Sequence, residues 1–101
     1  MRGVRGLTVI LADAAKIEVA LTLAAAQAAL EGRGRVYFHE SAVSAAAEAA
    51  AFAVDHNVEL IVCQTGLAQA GIDHATLPPT IAAGGLISLL AELGDDRLVT
   101  L

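Results

Sequence analysis

Cysteine, basic residues and aromatic residues are all scarce in this chain of 101 residues, and each scarcity argues against a class of protein. With one cysteine, Cys63, the chain forms no internal disulfide, which is typical of a reducing cytoplasm. Six lysines and arginines are set against eleven acidic residues, giving a net charge of −5, and only three residues are aromatic. These residues supply neither a basic face nor a base-stacking platform, so we expect no nucleic-acid partner.

Long apolar runs are missing as well. The longest uncharged stretch in the first half of the chain, 19–30, is shorter than the roughly 18 residues that a membrane span requires. The N-terminus imitates a secretory signal, because Arg2 and Arg5 precede the apolar run 7–12, but this run is short and leads into Asp13 without a good cleavage site. We therefore expect a cytoplasmic protein with no membrane partner.

The chain is rich in hydrophobic residues. Hydrophobic residues make up 56% of the sequence and charged residues only 17%. A chain of this length predicts a single domain over residues 1–101, and a domain so small leaves a large fraction of its surface exposed. Part of the apolar content must then face outward or face another subunit, which indicates a homo-oligomer.

Apolar, β-type runs alternate with helical segments along the whole chain. Strands are predicted at 7–12, 35–39, 59–63, 80–83 and 97–101. Helices are predicted at 14–30, from a cap at Ser41 or Ser44 to about residue 56, at 64–70 and at 86–93. This alternation predicts an α/β fold of three layers, in which helices cover both faces of a mostly parallel five-stranded sheet.

The residue with the strongest chemistry is Cys63, which stands where the third strand meets the helix 64–70. Open α/β sheets place their sites outside the carboxyl ends of their strands. The unpaired N–H groups and the positive end of the following helix favour the thiolate, which is the reactive form of cysteine. The alternative is that Cys63 is a small buried hydrophobic residue, as free cysteines often are.

Four further residues near this edge are candidates for a supporting role. His39 closes the second strand and could stabilise a thiolate or carry a proton, or it is only a polar residue at a strand end. Glu40 could bind a polar ligand or be a solvated loop carboxylate, and Gln64 and Thr65 follow Cys63 directly.

No metal or cofactor is expected at this edge. His39, Cys63 and His74 lack the paired spacing of zinc ligands. Gly84-Gly85 precedes a helix, but it belongs to no GxGxxG motif and no Walker lysine follows it. We therefore interpret the two glycines as a turn.

Three stretches, in this order and spacing, resemble the DsrE/DsrF-like sulfur-relay family, which includes the YchN and TusD types. They are the strand and turn 36–43, the cysteine-helix-glycine segment 63–72 and the closing helix and strand 85–101. The resemblance covers essentially the whole chain. It implies a five-stranded α/β domain that assembles into symmetric dimers, trimers or hexamers.

For the sulfur-relay members, the resemblance also implies a cysteine that carries sulfur as a persulfide from a donor protein to an acceptor protein, and Cys63 aligns with it. YchN-type members can carry a second cysteine three positions on, where this chain has Gly66, so an intramolecular disulfide cycle is excluded. Two functions stay open. One is a sulfur carrier acting through Cys63, a transfer protein rather than a turnover enzyme. The other is a non-catalytic oligomeric module that binds a small ligand or a protein partner in the crevice.

Overall fold

A computed structural model describes residues 5–101, and strands alternate with helices along this part of the chain. The five strands are β1 (Leu7–Leu11), β2 (Gly34–Phe38), β3 (Val58–Cys63), β4 (Ile81–Gly84) and β5 (Arg97–Thr100). The four α-helices are α1 (Ile17–Ala29), α2 (Ala46–Asp55), α3 (Gln64–Ala70) and α4 (Leu86–Ala91). Short 3₁₀ segments lie at Ala14–Lys16, Glu40–Ala45 and His74–Thr76.

The strands form one sheet in the order β4-β3-β2-β1-β5, and every neighbouring pair is parallel. The chain steps outward from β1 to β4 and then returns to the far side of β1 for β5. Because parallel crossovers are right-handed, this reversal puts α4 on the face opposite to α1 and α2. The predicted three-layer α/β fold is confirmed, and the sheet is entirely parallel rather than mostly parallel.

One face of the sheet, which we call the closed face, is packed under α1 and α2. The side chains that the central strands β1, β2 and β3 place on this face are apolar and buried, among them Val9, Leu11, Val36 and Phe38 at 0% exposure. Alanines let the helices approach the sheet closely. At Gly34 the approach is so tight that a Cβ atom would collide with the backbone carbonyl of Ala24.

The opposite face, which we call the α4 face, is covered by one helix of six residues and carries polar side chains. Only Leu89 of α4 is buried. The alternation of side chains along the paired strands puts Thr8, Arg35, Tyr37 and Cys63 on this face. Among residues 5–101, no helix is both long and apolar enough to cross a membrane.

The predicted start of the second helix is wrong. A 3₁₀ segment occupies Glu40–Ala45, and α2 begins only at Ala46, with no side-chain cap at its N-terminus. Ser44 donates its hydroxyl hydrogen to the carbonyl of Ser41 instead, at 3.1 Å. The first turn of the predicted first helix is likewise 3₁₀, although Asp13 caps it as a helix start requires, accepting a hydrogen bond from the Ala15 N–H at 3.0 Å.

Candidate functional site

Cys63 ends β3 in an extended conformation and is the N-cap residue of α3. Its Sγ atom accepts a hydrogen bond from the backbone N–H of Gly66 at 3.3 Å. The helix covers residues 64–70, as predicted, and ends where Gly71 adopts a left-handed conformation with φ of 70°. The cysteine is 7% exposed, so its thiol lies just beneath the surface at the carboxyl edge of the sheet.

Glu40 has an unusual backbone conformation. Glu40 begins the 3₁₀ segment after β2 with φ of 49°, a left-handed conformation that is uncommon for a residue with a side chain. Its backbone N–H approaches the Cys63 thiol and is one of the groups that lower the pKa of that thiol. Glu40 therefore reaches Cys63 with its main chain rather than with the carboxylate.

Tyr37 is the site residue that the sequence analysis missed. It is 1% exposed and lies opposite Ile61 in the register of β2 and β3, so Cys63 is a diagonal neighbour within reach of its ring. Its hydroxyl approaches the Cys63 side chain closely enough to stabilise a thiolate there. Burial, and then the neighbouring thiol, raise the pKa of Tyr37 well above its ordinary value, so the hydroxyl keeps its proton and acts as a donor. Period-two alternation along the two strands was the available signal.

The electrostatic balance around Cys63 favours the thiolate. Burial by itself would raise the pKa of the thiol, since it penalises the charged form. The Tyr37 hydroxyl and the backbone N–H groups of Gly66, Glu40 and Thr65 outweigh it, and the pKa is lowered. The groups that lower this pKa are all neutral.

His39 and the Glu40 carboxylate face each other. His39 Nε2 lies 3.2 Å from Glu40 Oε1, and the imidazole ring is 6.2 Å from the ring of Tyr37. His39 Nδ1 is buried and has no hydrogen-bond partner within residues 5–101. The imidazole is thus a neighbour of Tyr37, and its support of Cys63 stays a prediction.

Gln64 and Thr65 are both exposed at the start of α3. Thr65 approaches Cys63 through its backbone N–H. Gln64 instead lines a cavity on the α4 face. The two residues are therefore near the thiol, but neither side chain is shown to act on it.

The place of the second cysteine in YchN-type members is tightly packed in this chain. A Cβ atom built at Gly66 would lie 2.6 Å from the backbone oxygen of Glu40 and 3.0 Å from Val43 Cγ1. The same close approach lets the Gly66 N–H and the Glu40 N–H converge on one sulfur atom. Glycine at this position is thus tied to the geometry of the donors around Cys63.

His39, Cys63 and His74 do not come together as the ligands of a zinc site. His74 Nε2 lies 2.7 Å from the carbonyl oxygen of Ile81, which fixes its ring beside β4. In the part of the chain that the structure describes, no three histidine, cysteine, aspartate or glutamate residues form a group that could hold a metal ion.

The fold has a counterpart among solved structures. The crystal structure of the YchN protein from E. coli superposes with a TM-score of 0.69 over 95% of this chain and 99% of that chain, at 18% sequence identity. At this identity the likeness shows a shared fold, and YchN is a DsrE/DsrF-like protein, so the fold implied by the sequence resemblance is confirmed. No family model matches the chain, and neither does any curated protein.

Proposed function

We propose that this protein is a sulfur carrier of the DsrE/DsrF-like kind, in which Cys63 accepts sulfane sulfur as a persulfide and passes it to a partner thiol. One observation carries the proposal. The Cys63 thiol accepts a hydrogen bond from the Gly66 N–H at 3.3 Å, and the nearby Tyr37 hydroxyl and the N–H groups of Glu40 and Thr65 help to lower its pKa despite its burial. A structural cysteine requires no such arrangement, because the neutral thiol packs as a small hydrophobic group. The YchN-like fold supports the proposal, since the sequence resemblance aligns Cys63 with the relay cysteine.

The chemistry is thiol exchange in two balanced steps. In the first, the Cys63 thiolate attacks the outer sulfur of a donor persulfide, the donor S–S bond breaks, and the donor leaves as a thiolate. In the second, an acceptor thiolate attacks the outer sulfur of the Cys63 persulfide, and Cys63 leaves as the thiolate. Each S–S bond broken is replaced by one formed, so no external oxidant or reductant is consumed. The Tyr37 hydroxyl and the N–H groups stabilise Cys63 as nucleophile and later as leaving group.

The low exposure of Cys63 fits a carrier that protects its cargo. At 7% exposure the sulfur is shielded from dissolved thiols, which would otherwise strip a persulfide. Gly66 stands where a second cysteine would resolve the persulfide internally, so the sulfur must be handed to another molecule. Sulfur donor and acceptor proteins are therefore part of the proposal, as is a reducing, cytoplasmic location.

The decisive experiment is intact-mass analysis after incubation with a low-molecular-weight persulfide donor. We expect wild type to gain the mass of one sulfur atom and Cys63→Ser to gain none. A thiol acceptor added afterwards should return the wild-type mass. His39→Ala tests the predicted supporting role, which is contradicted if the adduct forms no more slowly than in a variant of an exposed residue such as Glu48→Ala.

The alternative is a non-catalytic module that binds a small ligand or a protein partner at the carboxyl ends of the strands. The same 7% exposure favours it, because a buried thiol is harder for a donor to reach. If no donor produces an adduct while iodoacetamide still alkylates Cys63 in the folded protein, the sulfur-carrier proposal fails and the binding module is the better interpretation.

We also propose that the chain is a homo-oligomer. Ile87 and Leu90 of α4 are 88% and 48% exposed, and Leu98 of the edge strand β5 is 44% exposed on the same face of the sheet. Large apolar side chains grouped on one face are typical of an interface. Light scattering at micromolar concentration should give a dimer, a trimer or a hexamer, and a monomer mass would contradict the proposal.

A further inference from the structure

Two cavities adjoin on the α4 face, over β3 and β4. Ile61 and Ala82, which are opposite each other in the strand register, line both of them. The first cavity, of about 430 Å³, extends to the start of β3 and around the sheet edge to the end of α2. The second, of about 330 Å³, extends to Gln64 and α4. Together they form one groove, which we call the β3–β4 groove, and both volumes fall within the range of ligand pockets.

The floor of the β3–β4 groove is apolar and open to solvent. Alternation along the paired strands puts Glu59, Ile61 and Ala82 on the α4 face. Ile61 is partly exposed and Ala82 is exposed, because α4 is too short to cover this part of the sheet. A concave apolar strip of this kind offers a surface on which a short hydrocarbon chain is removed from water.

Glu59 lies at the end of the groove near the start of β3. Among the described residues that line the first cavity it alone is charged, and it is exposed. Its partner in the strand register is Arg35, but that guanidinium lies toward β1: its Nε donates a hydrogen bond to Thr8 Oγ1 at 3.0 Å. Within residues 5–101, no basic side chain forms an ion pair with Glu59. The carboxylate is therefore free to meet a cation from solution.

The charges around the groove leave an excess of negative charge. Arg35 is acted on by one other guanidinium, that of Arg33, and by the carboxylates of Asp96, Glu59 and Glu92. Asp96 forms an ion pair with Arg33 at 2.8 Å, so one guanidinium remains for two carboxylates. Glu59 and Glu92 are both exposed and both line the groove. A monovalent cation would compensate the excess, whereas an anion would be repelled.

The spacing of the polar and apolar residues matches an alkylammonium ion. An ammonium group has three N–H donors, and Glu59 and the exposed Thr80 beside it supply oxygen acceptors in the first cavity. Ile61 is two residues beyond Glu59 on the same face, about 6.6 Å along the strand. A chain of four carbons that ends in an ammonium group spans this distance.

We propose that the β3–β4 groove binds a primary alkylammonium group, with the ammonium on the Glu59 carboxylate and the hydrocarbon chain over Ile61 and Ala82. The group belongs either to a free alkylamine or to a lysine side chain of a protein partner. Its binding does not depend on sulfur transfer at Cys63, so each proposal can fail without the other.

The test is an NMR titration of the full chain with butylammonium chloride at neutral pH and constant ionic strength. We expect saturable shifts of the backbone amides of Glu59, Ile61 and Ala82. Butan-1-ol, the neutral analogue, and sodium butanoate, the analogue of opposite charge, should produce no saturable shift, because neither supplies a cation for Glu59.

Matched variants test the position of the ammonium group. Glu59→Gln should weaken the affinity about fivefold, the upper end of the range for an exposed ion pair. Glu92→Gln should weaken it less, because Glu92 contributes charge to the groove without contacting the ammonium. Glu48→Gln, which removes the same charge from an exposed position on α2, should bind as wild type does.

A tethered ammonium group tests the floor of the groove. Ala82→Lys should abolish saturable binding of butylammonium, because its own side chain would occupy the groove. Ala47→Lys, on α2, is the control and should bind as wild type does. All the substituted positions are exposed, so each variant should keep the wild-type circular dichroism spectrum.

A lysine blocked at both ends, N-acetyl-lysine methylamide, distinguishes the two sources of the group. Tighter binding than that of butylammonium would identify a lysine of a protein partner, and weaker binding a free alkylamine. Non-saturable shifts with butylammonium, equal binding of butan-1-ol, or unchanged affinity in Glu59→Gln would overturn the proposal. A loss in Glu92→Gln as large as that in Glu59→Gln would contradict the position of the ammonium at Glu59.

Discussion

The two faces of the sheet are built from the same five strands but differ in nearly every physical respect. The closed face is apolar and sealed under α1 and α2, with side chains such as Val36 and Phe38 at 0% exposure. The α4 face has one helix of six residues above it and carries buried Thr8 and Arg35. Stability is thus concentrated on one face, whereas the other holds polar groups that must be hydrogen-bonded to be tolerated.

The candidate site lies on the more polar of these two faces. Cys63 and Tyr37 share the α4 face with Arg35, and the alternation of strand residues keeps all three out of the apolar core. A thiolate or a guanidinium on the closed face would be desolvated without partners. Because α4 covers this face only in part, space is left above the strands for a candidate site. A second full layer of helices would fill that space.

The largest effect should come from one matched pair of leucine truncations, one on each face. Leu11→Ala, in β1 on the closed face, removes a side chain at 0% exposure and should cost about 2–5 kcal/mol of unfolding free energy. Leu98→Ala, in the adjacent strand β5 on the α4 face, removes one at 44% exposure and should cost less than about 1 kcal/mol. Urea unfolding measures both.

Protein concentration sharpens this comparison. If Leu98 packs against another subunit, the cost of Leu98→Ala grows with protein concentration, because subunit association stabilises the folded state by mass action. Equal costs for the two variants at high dilution would contradict the distinction between the faces.

A smaller loss is expected at the contact between α3 and the 3₁₀ segment. In Gly66→Ala the new Cβ would lie 2.6 Å from the Glu40 carbonyl oxygen, so we expect a loss of about 1–3 kcal/mol from overpacking. Gly84→Ala is the control, since its Cβ would make an ordinary contact of 3.6 Å with Ile61 and should be neutral or stabilising by up to about 1 kcal/mol. Urea unfolding compares the two variants.

The same variant tests the role of the site geometry. Displacing Glu40 should withdraw its N–H from Cys63 and raise the pKa of the thiol. Gly66→Ala with wild-type stability and an unchanged alkylation profile would show that the close contact is not needed.

Sequence reasoning predicted the fold well, because it depends on long-range apolar patterning. The strands, the helix 64–70 and the placement of Cys63 at a strand end all follow from alternation and turn signals. The start of α2 was wrong because a 3₁₀ segment and an α-helix satisfy the same local propensities. Tyr37 was missed because alternation gives the face on which its side chain lies, but only the register of β2 and β3 brings it beside Cys63.

Removing the Tyr37 hydroxyl should alter reactivity more than stability. Tyr37→Phe deletes a hydrogen-bond donor beside Cys63, so the pKa of the thiol should rise and alkylation near pH 7 should slow severalfold. Glu40→Gln is the control, because it removes the carboxylate but keeps the backbone N–H at the thiol. It should shift the pH profile of alkylation less than Tyr37→Phe does. The pH dependence of the iodoacetamide rate measures both. A wild-type midpoint at or above the free-thiol value of about 8.5 would contradict the activation of Cys63.

The smallest effect is a pH-dependent difference in stability between wild type and Cys63→Ser. The folded-state pKa of Cys63 lies below the ordinary thiol value of about 8.5 that the unfolded chain should show. Between those two values the unfolded state binds more protons, so the stability of wild type relative to Cys63→Ser should rise with pH, by at most about 1.4 kcal/mol per pH unit. The gain should be complete above pH 9 and absent below the folded-state pKa. Urea unfolding of both proteins from pH 6 to 9 measures the slope. Tyr37→Phe should narrow the pH range over which this stability difference rises, because it moves the folded-state pKa of Cys63 toward the unfolded-state pKa. A stability difference that stays flat or falls with pH would mean that folding does not favour the thiolate. It would contradict the prediction that Cys63 is a reactive cysteine.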